Sequence, residues 1–112
     1  MEIKNAKINS TMLGVEDHGI MTFFIHLDYG GSGQGVGGYG LDTYNQDTKE
    51  REGWGAGIML LRKILEVVGV DEWEKLPGKH IRVKADNNKV WSVGNIIEDR
   101  WVDVDQFCKD NQ

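Results

Sequence analysis

The clearest pattern in the chain is the alternation over Ile20–Tyr29. Met21, Phe23, Ile25, Leu27 and Tyr29 fall on one face, and Ile20, Thr22, Phe24, His26 and Asp28 on the other. A period of two marks a strand with a buried side, and the mixed second face predicts partial cover there too. Lys79–Ala85 repeats the pattern, with Ile81, Val83 and Ala85 inward and His80, Arg82 and Lys84 outward. Residues 2–14 read as another strand, with Ala6, Ile8 and Met12 inward and Lys4, Lys7 and Asn9 available to solvent. Glu16-Asp17-His18-Gly19 has turn chemistry and joins it to the next strand as an antiparallel hairpin. Asp86-Asn87-Asn88-Lys89 forms a second hairpin turn, after which Val90–Ile97 returns.

Over Trp54–Val68 the period changes. Ile58, Leu61, Leu65 and Val68 share a helical face with Ile64 beside them, while Arg62, Lys63 and Glu66 mark the wet side. Gly69 is placed to end this helix. Asp71 is placed to cap a short helix at Glu72–Leu76, stopped by Pro77-Gly78. Asp103 is placed to cap a last one through Cys108, with Val104 and Phe107 on its apolar side. Asn45–Glu52 is polar and reads as a loop, and Glu98–Trp101 reads as leaving the sheet. The order predicts a single α+β domain over residues 1–112: an antiparallel sheet of about five strands, one long helix on one face, and one or two short helices.

Gly30–Gly40 reads GGSGQGVGGYG and holds seven of the fifteen glycines. Each glycine in a regular element costs roughly 0.5–1 kcal/mol relative to alanine, so the cluster needs a reason. A flexible linker fits poorly, because Gln34, Val36 and Tyr39 interrupt the run. The pattern predicts a tight turn at Gly30–Gly33, then a glycine-rich strand over residues 34–44 with Val36, Leu41 and Tyr44 as its apolar surface. Two purposes stay open: close packing under a tryptophan or helix, or a cluster of amide N–H groups for an anion. Gly33-Gln34-Gly35-Val36-Gly37-Gly38 matches G-x-G-x-x-G, but no helix follows, which excludes the dinucleotide fold. Gly78-Lys79 is followed by His80, so it is no phosphate loop.

Composition narrows the chemistry. The 112 residues carry a net charge of −5, with 39% hydrophobic and 28% charged residues, as in ordinary globular domains. The acidic balance argues against direct binding of duplex nucleic acid. The longest apolar stretch, Ala56–Leu61, is too short for a membrane span. The opening Met1-Glu2-Ile3-Lys4 is no apolar leader, so a signal peptide is not expected. The single cysteine, Cys108, fits a reducing cytoplasm and reads as a buried apolar residue. His26 and Asp28, even with His18, His80 or Asp42, are too few for a metal site; neither metal nor cofactor is expected.

One set of side chains converges on the glycine turn. Gly30, Gly31, Ser32, Gly33, Gln34 and Gly35 would present main-chain N–H groups to phosphate. Arg82 and Lys84, in one basic stripe with His80, would supply charge, Tyr29, Tyr39 or a tryptophan would stack a base, and His26 and Asp28 would stand beside the turn. The stretches Asp28-Tyr29-Gly30-Gly31-Ser32-Gly33-Gln34-Gly35, Gly37-Gly38-Tyr39 and Leu41-Asp42 carry a resemblance to a group of small phage and prophage proteins. So do Met1–Ile8, Glu16–Gly19 and Leu76–Lys79. The resemblance covers most of the chain and brings no catalytic residue with it. It implies a cytoplasmic accessory protein in a bacterial host cell, with counter-defence as its setting.

Three functions follow, in order. The first is a non-catalytic protein that holds a small anionic, nucleotide-like ligand, sequesters a host defence signal, and forms a homo-oligomer to complete the pocket. The second is an acidic inhibitor that sets Glu98, Asp99, Asp103, Asp105, Glu50 and Glu52 against a basic host protein of a defence nuclease complex. An enzyme ranks last, because no histidine–carboxylate spacing is diagnostic.

Overall fold

The computed structural model describes residues 1–16 and 18–112; Asp17 of the first predicted turn lies outside the described residues. The strands are β1 (Glu2–Val15), β2 (Met21–Asp28), β3 (Gly33–Gly37), β4 (Asp42–Asn45), β5 (Glu50–Gly53), β6 (His80–Ala85), β7 (Val90–Asn95) and β8 (Trp101–Asp103). The helices are α1 (Gly55–Val68) and α2 (Val104–Asp110). Six strands form one antiparallel sheet in the order β3-β2-β1-β6-β7-β8, and β4 pairs with β5 separately. The fold is α+β, with one more strand in the main sheet than the sequence pattern predicted.

The alternating residues of β2 and β6 face the core as their pattern predicts. Phe23, Ile25, Ile81 and Val83 are fully buried, together with Leu60 and Ile64 of α1 and Val104 of α2. Each such side chain contributes about 1.5–3 kcal/mol by leaving water. In β1 the pattern breaks: Ile8 faces Leu27 but Ser10 faces His26, so Asn9 is an extra residue. A bulge of this kind reverses which residues point inward. Beyond it Thr11 and Leu13 turn to the core side, and Met12, expected inward, stands on the opposite face beside Phe24.

Several other segments differ from the sequence reading. On α1 the buried residues are Gly57, Leu60, Ile64 and Val67, one position before the predicted stripe, and Ile58 is 68% exposed. Gly57 selects this face. A Cβ there would sit 3.2 Å from Leu41, so the bare backbone lets the helix press onto that residue. Asn45–Glu52 contributes to a hairpin, held by the Arg51–Asp42 ion pair at 2.7 Å and by Asn45 Nδ2 donating to Glu52 Oε1 at 2.7 Å. Tyr44, expected among the apolar positions, is exposed there. The predicted helix at Glu72–Leu76 is a 3-10 turn at Trp73–Lys75, and Asp71 pairs with Lys75 instead of capping it. Trp101, expected outside the sheet, opens β8. Asp103 does cap α2, its Oδ1 accepting from the Gln106 N–H at 2.9 Å.

The two helices pack on the core side of the sheet. On the other side Asn5, Lys7, His26, Asp28 and His80 stand exposed. Among the described residues no helix is long and apolar enough to cross a membrane.

Candidate ligand-binding face

Strand register sets out this open side in rows. Asp28, Lys7 and His80 face one another across β2, β1 and β6. The next row along the pleat holds Asn5, Arg82, Gly94 and Trp101, and the one after it Ile3, Lys84, Ser92 and Asp103. Arg82 and Lys84, read as one stripe from their spacing, therefore share a face with His26 and Asp28.

Trp101 lies flat on this face because Gly94 has no side chain: a Cβ there would come within 2.5 Å of the indole. The Arg82 guanidinium carbon is 4.9 Å from the ring centre and Lys84 Nζ is 4.6 Å away, both within cation–π range. Arg82 is fixed by donating to Asn95 O at 2.7 Å and to Glu98 O at 2.9 Å, acceptors that leave its charge unneutralised. Among the described residues Lys7, Arg82 and Lys84 form no ion pair. Arg51, Lys75, Lys89 and Arg100, by contrast, each have a carboxylate within bonding reach.

The glycine turn stands at one end of the Asp28–Lys7–His80 row. Tyr29 N–H donates to Ser32 O at 2.9 Å, and Gly30 N–H donates to Asp28 Oδ1 at 2.7 Å. From Gly33 onward the main chain joins β2 as an edge strand. Of the amide cluster expected over Gly30–Gly35, the register of the edge strand bonds the Gln34 N–H to β2 and leaves those of Gly33 and Gly35 pointing away from it. In the turn itself the Gly31 and Ser32 N–H groups have no acceptor among the described residues. A notch of about 290 Å³ opens beside them, lined by Asn5, Lys7, Asp28, Tyr29, Gly30 and His80.

The other predicted site residues divide. Tyr29 is half-buried, and its hydroxyl donates to Gln34 Oε1 at 2.6 Å; burial raises its pKa above the ordinary phenol value. Gln34 Nε2 donates to Asp86 O at 2.9 Å and ties β3 to the β6–β7 turn. His26 stacks on Phe24 with ring centres 6.0 Å apart and planes 11° from parallel, opposite Gly35, which puts no side chain beside them. Tyr39 is not brought to this face. Its ring stacks on Phe23 in the core, and its hydroxyl donates to Asp105 Oδ1 at 3.2 Å.

Lys7, Phe24 and Trp101, absent from the predicted set, complete the face with His80, which the sequence placed in the stripe of Arg82 and Lys84. Alternation had already put Lys7 and His80 on wet sides of their strands; Trp101 carried no such signal. The acidic residues are dispersed by comparison. Asp105 is buried, and Glu98 is paired with Arg100 at 2.9 Å.

A roomier groove, of about 610 Å³, lies elsewhere, between Leu13, Val15, Met21, Trp54, Ile58 and Leu61. Its lining is mostly apolar, with Glu52 beside an Arg51–Asp42 pair that is self-neutralised, so its one cation is already engaged. Among the described residues no three His, Cys, Asp or Glu side chains gather as a metal site would require. No family model matches the chain, and no curated protein or solved structure matches it.

Proposed function

We propose that this protein is a non-catalytic binding protein for a nucleotide-type anionic ligand held on the open side of its sheet. One observation carries the reading: in a chain of net charge −5, Lys7, Arg82 and Lys84 form no ion pair among the described residues and share an uncovered face with a flat tryptophan. The Gly31 and Ser32 N–H groups and Lys7 would meet phosphate, while the Trp101 indole would take a base, with Arg82 and Lys84 alongside. In the phage setting that the resemblance implies, such binding would keep a host signalling nucleotide out of circulation. Chemistry is not part of this reading, because no side chain of the face pairs with another as nucleophile and base.

Thermal unfolding with a panel of mono-, di-, tri- and cyclic nucleotides tests it. A ligand present at one hundred times its Kd contributes about 2.7 kcal/mol, which for a domain of this size raises Tm by roughly 10 °C. Stabilisation is expected from phosphate-bearing members and not from the free nucleosides. A panel in which no phosphate-bearing compound, monomeric or polymeric, moves Tm would overturn the reading.

A further inference from the structure

Resting on that reading, we infer that the ligand of this face is a single-stranded nucleic acid, which runs across the sheet instead of sitting in a pocket. The shape of the site is the first argument. Pockets that enclose small ligands measure about 300–1,000 Å³ and cover most of the ligand, whereas the notch beside the glycine turn holds about 290 Å³ and is open. A free nucleotide has little here to surround it. A polymer needs no enclosure, because each of its units adds contacts along a surface.

The second argument is the spacing of aromatic platforms. Trp101 lies flat at the β8 end of the face, and the stacked Phe24–His26 pair lies on β2. The indole lies over Gly94 of β7, three strand steps from β2. At 4.7–4.9 Å per step the platforms are about 14 Å apart across the sheet, more than one nucleotide spans. Sheets that bind single strands use such separated rings, since every base has a face to stack, and their sites extend over about 4–16 nucleotides.

Charge is the third argument. Between the platforms run Lys7 on β1 and His80, Arg82 and Lys84 on β6, the two central strands. Three carboxylates accompany them, each already engaged. Asp28 of the Lys7–His80 row accepts from the Gly30 N–H, Asp103 at the end of the Lys84 row accepts from the Gln106 N–H, and Asp99 accepts from the Trp101 indole N–H at 3.1 Å. Three cations along a backbone track match a phosphate chain, and they are too few to hold a duplex. Recognition through base faces and backbone charge uses no 2′-hydroxyl, so DNA and RNA strands are equivalent ligands.

The experiment is fluorescence anisotropy with labelled oligonucleotides of 2, 4, 8, 12 and 16 nucleotides, DNA and RNA, beside a mononucleotide and a duplex of matched length. Affinity is expected to rise at least tenfold between the dinucleotide and the 12-mer, with the duplex weaker than either single strand. With three phosphate contacts, the logarithm of affinity should fall against that of salt with a slope of about −2. Trp101→Ala should weaken binding by about 5- to 150-fold, the range for losing one stacked base. Because that variant could also loosen β8, Lys7→Glu supplies the second test: Lys7 is exposed, and its exchange should weaken binding at least tenfold with Tm little changed. Equal binding of mononucleotide and 16-mer would overturn this inference and leave the binding reading standing. Preference for the duplex would overturn it as well. Failure of every nucleotide and oligonucleotide to bind at low salt would remove both.

Discussion

Gly37→Ala is expected to cost about 3–5 kcal/mol of unfolding free energy, more than any other glycine exchange in the Gly30–Gly40 run. Gly37 has φ +136°, a conformation that costs a residue with a side chain about 1–3 kcal/mol. Its Cβ would also stand 2.2 Å from Phe23 O and 2.9 Å from Phe24 Cα. Both are main-chain atoms of β2, a strand paired on both sides, so neither can move aside, and overpacking adds a further 1–3 kcal/mol. Gly31→Ala is the control: nothing lies within 4 Å of its Cβ position, and its stability change should stay within about 0.5 kcal/mol. Urea denaturation of both variants measures the difference. The contrast divides the glycine run between its two purposes. The strand half is built for close packing against β2, and the turn half leaves open main chain where the proposed ligand would touch it. Equal costs at the two positions would refute that division.

Asp105→Ala is expected to cost about 2–3 kcal/mol. The Asp105 side chain is 8% exposed and is held by Lys89 and Lys109, with the Tyr39 hydroxyl donating to it. Breaking a fully buried pair costs about 3–5 kcal/mol. The figure here is smaller because Lys89 and Lys109, at 38% and 60% exposure, can turn to water. The bond from Lys89, then that from Lys109, lowers the Asp105 pKa from 3.8 to about 2. Folding therefore favours the ionised form. The stability it contributes is fully present above pH 4 and is lost as pH falls toward 2. Asp105→Asn should flatten the acid limb of a stability–pH curve over that window, and an unchanged limb would show that other carboxylates dominate it.

Much of this architecture is legible in the sequence wherever a single face decides the pattern. The strands β2 and β6 alternate without exception over their central residues, and the outward side of β6 foretells the stripe of His80, Arg82 and Lys84. The pattern fails where the cause is not local. Asn9 looks like any polar strand residue, and only pairing with β2 makes it a bulge that turns Met12 outward. In α1, Ile58, Met59, Leu60, Leu61, Ile64 and Leu65 offer two overlapping stripes, and Gly57 against Leu41 chooses between them. The β4–β5 hairpin is hidden because polar pairs, not apolar alternation, hold its strands.

For the site, the chemistry of each residue could be read but not which residues meet. Tyr39 follows two glycines of positive φ, Gly37 and Gly38, and its ring ends in the core. Trp101 reaches the basic stripe only because β8 adds to the sheet at β7, a pairing with no signature in the chain. The face joins strands far apart in sequence: β1 and β6 are adjacent although more than sixty residues lie between them. Local periodicity cannot supply that neighbour.

A ¹⁵N-¹H correlation titration with a short single-stranded oligonucleotide tests the central claim most directly. The expected result is movement of the amides of Lys7, Gly31, Ser32, His80, Arg82 and Lys84 and of the Trp101 indole N–H, with β4, β5 and α1 silent. Shifts confined to the groove around Leu13, Trp54 and Ile58, with the open side of the sheet unmoved, would contradict it.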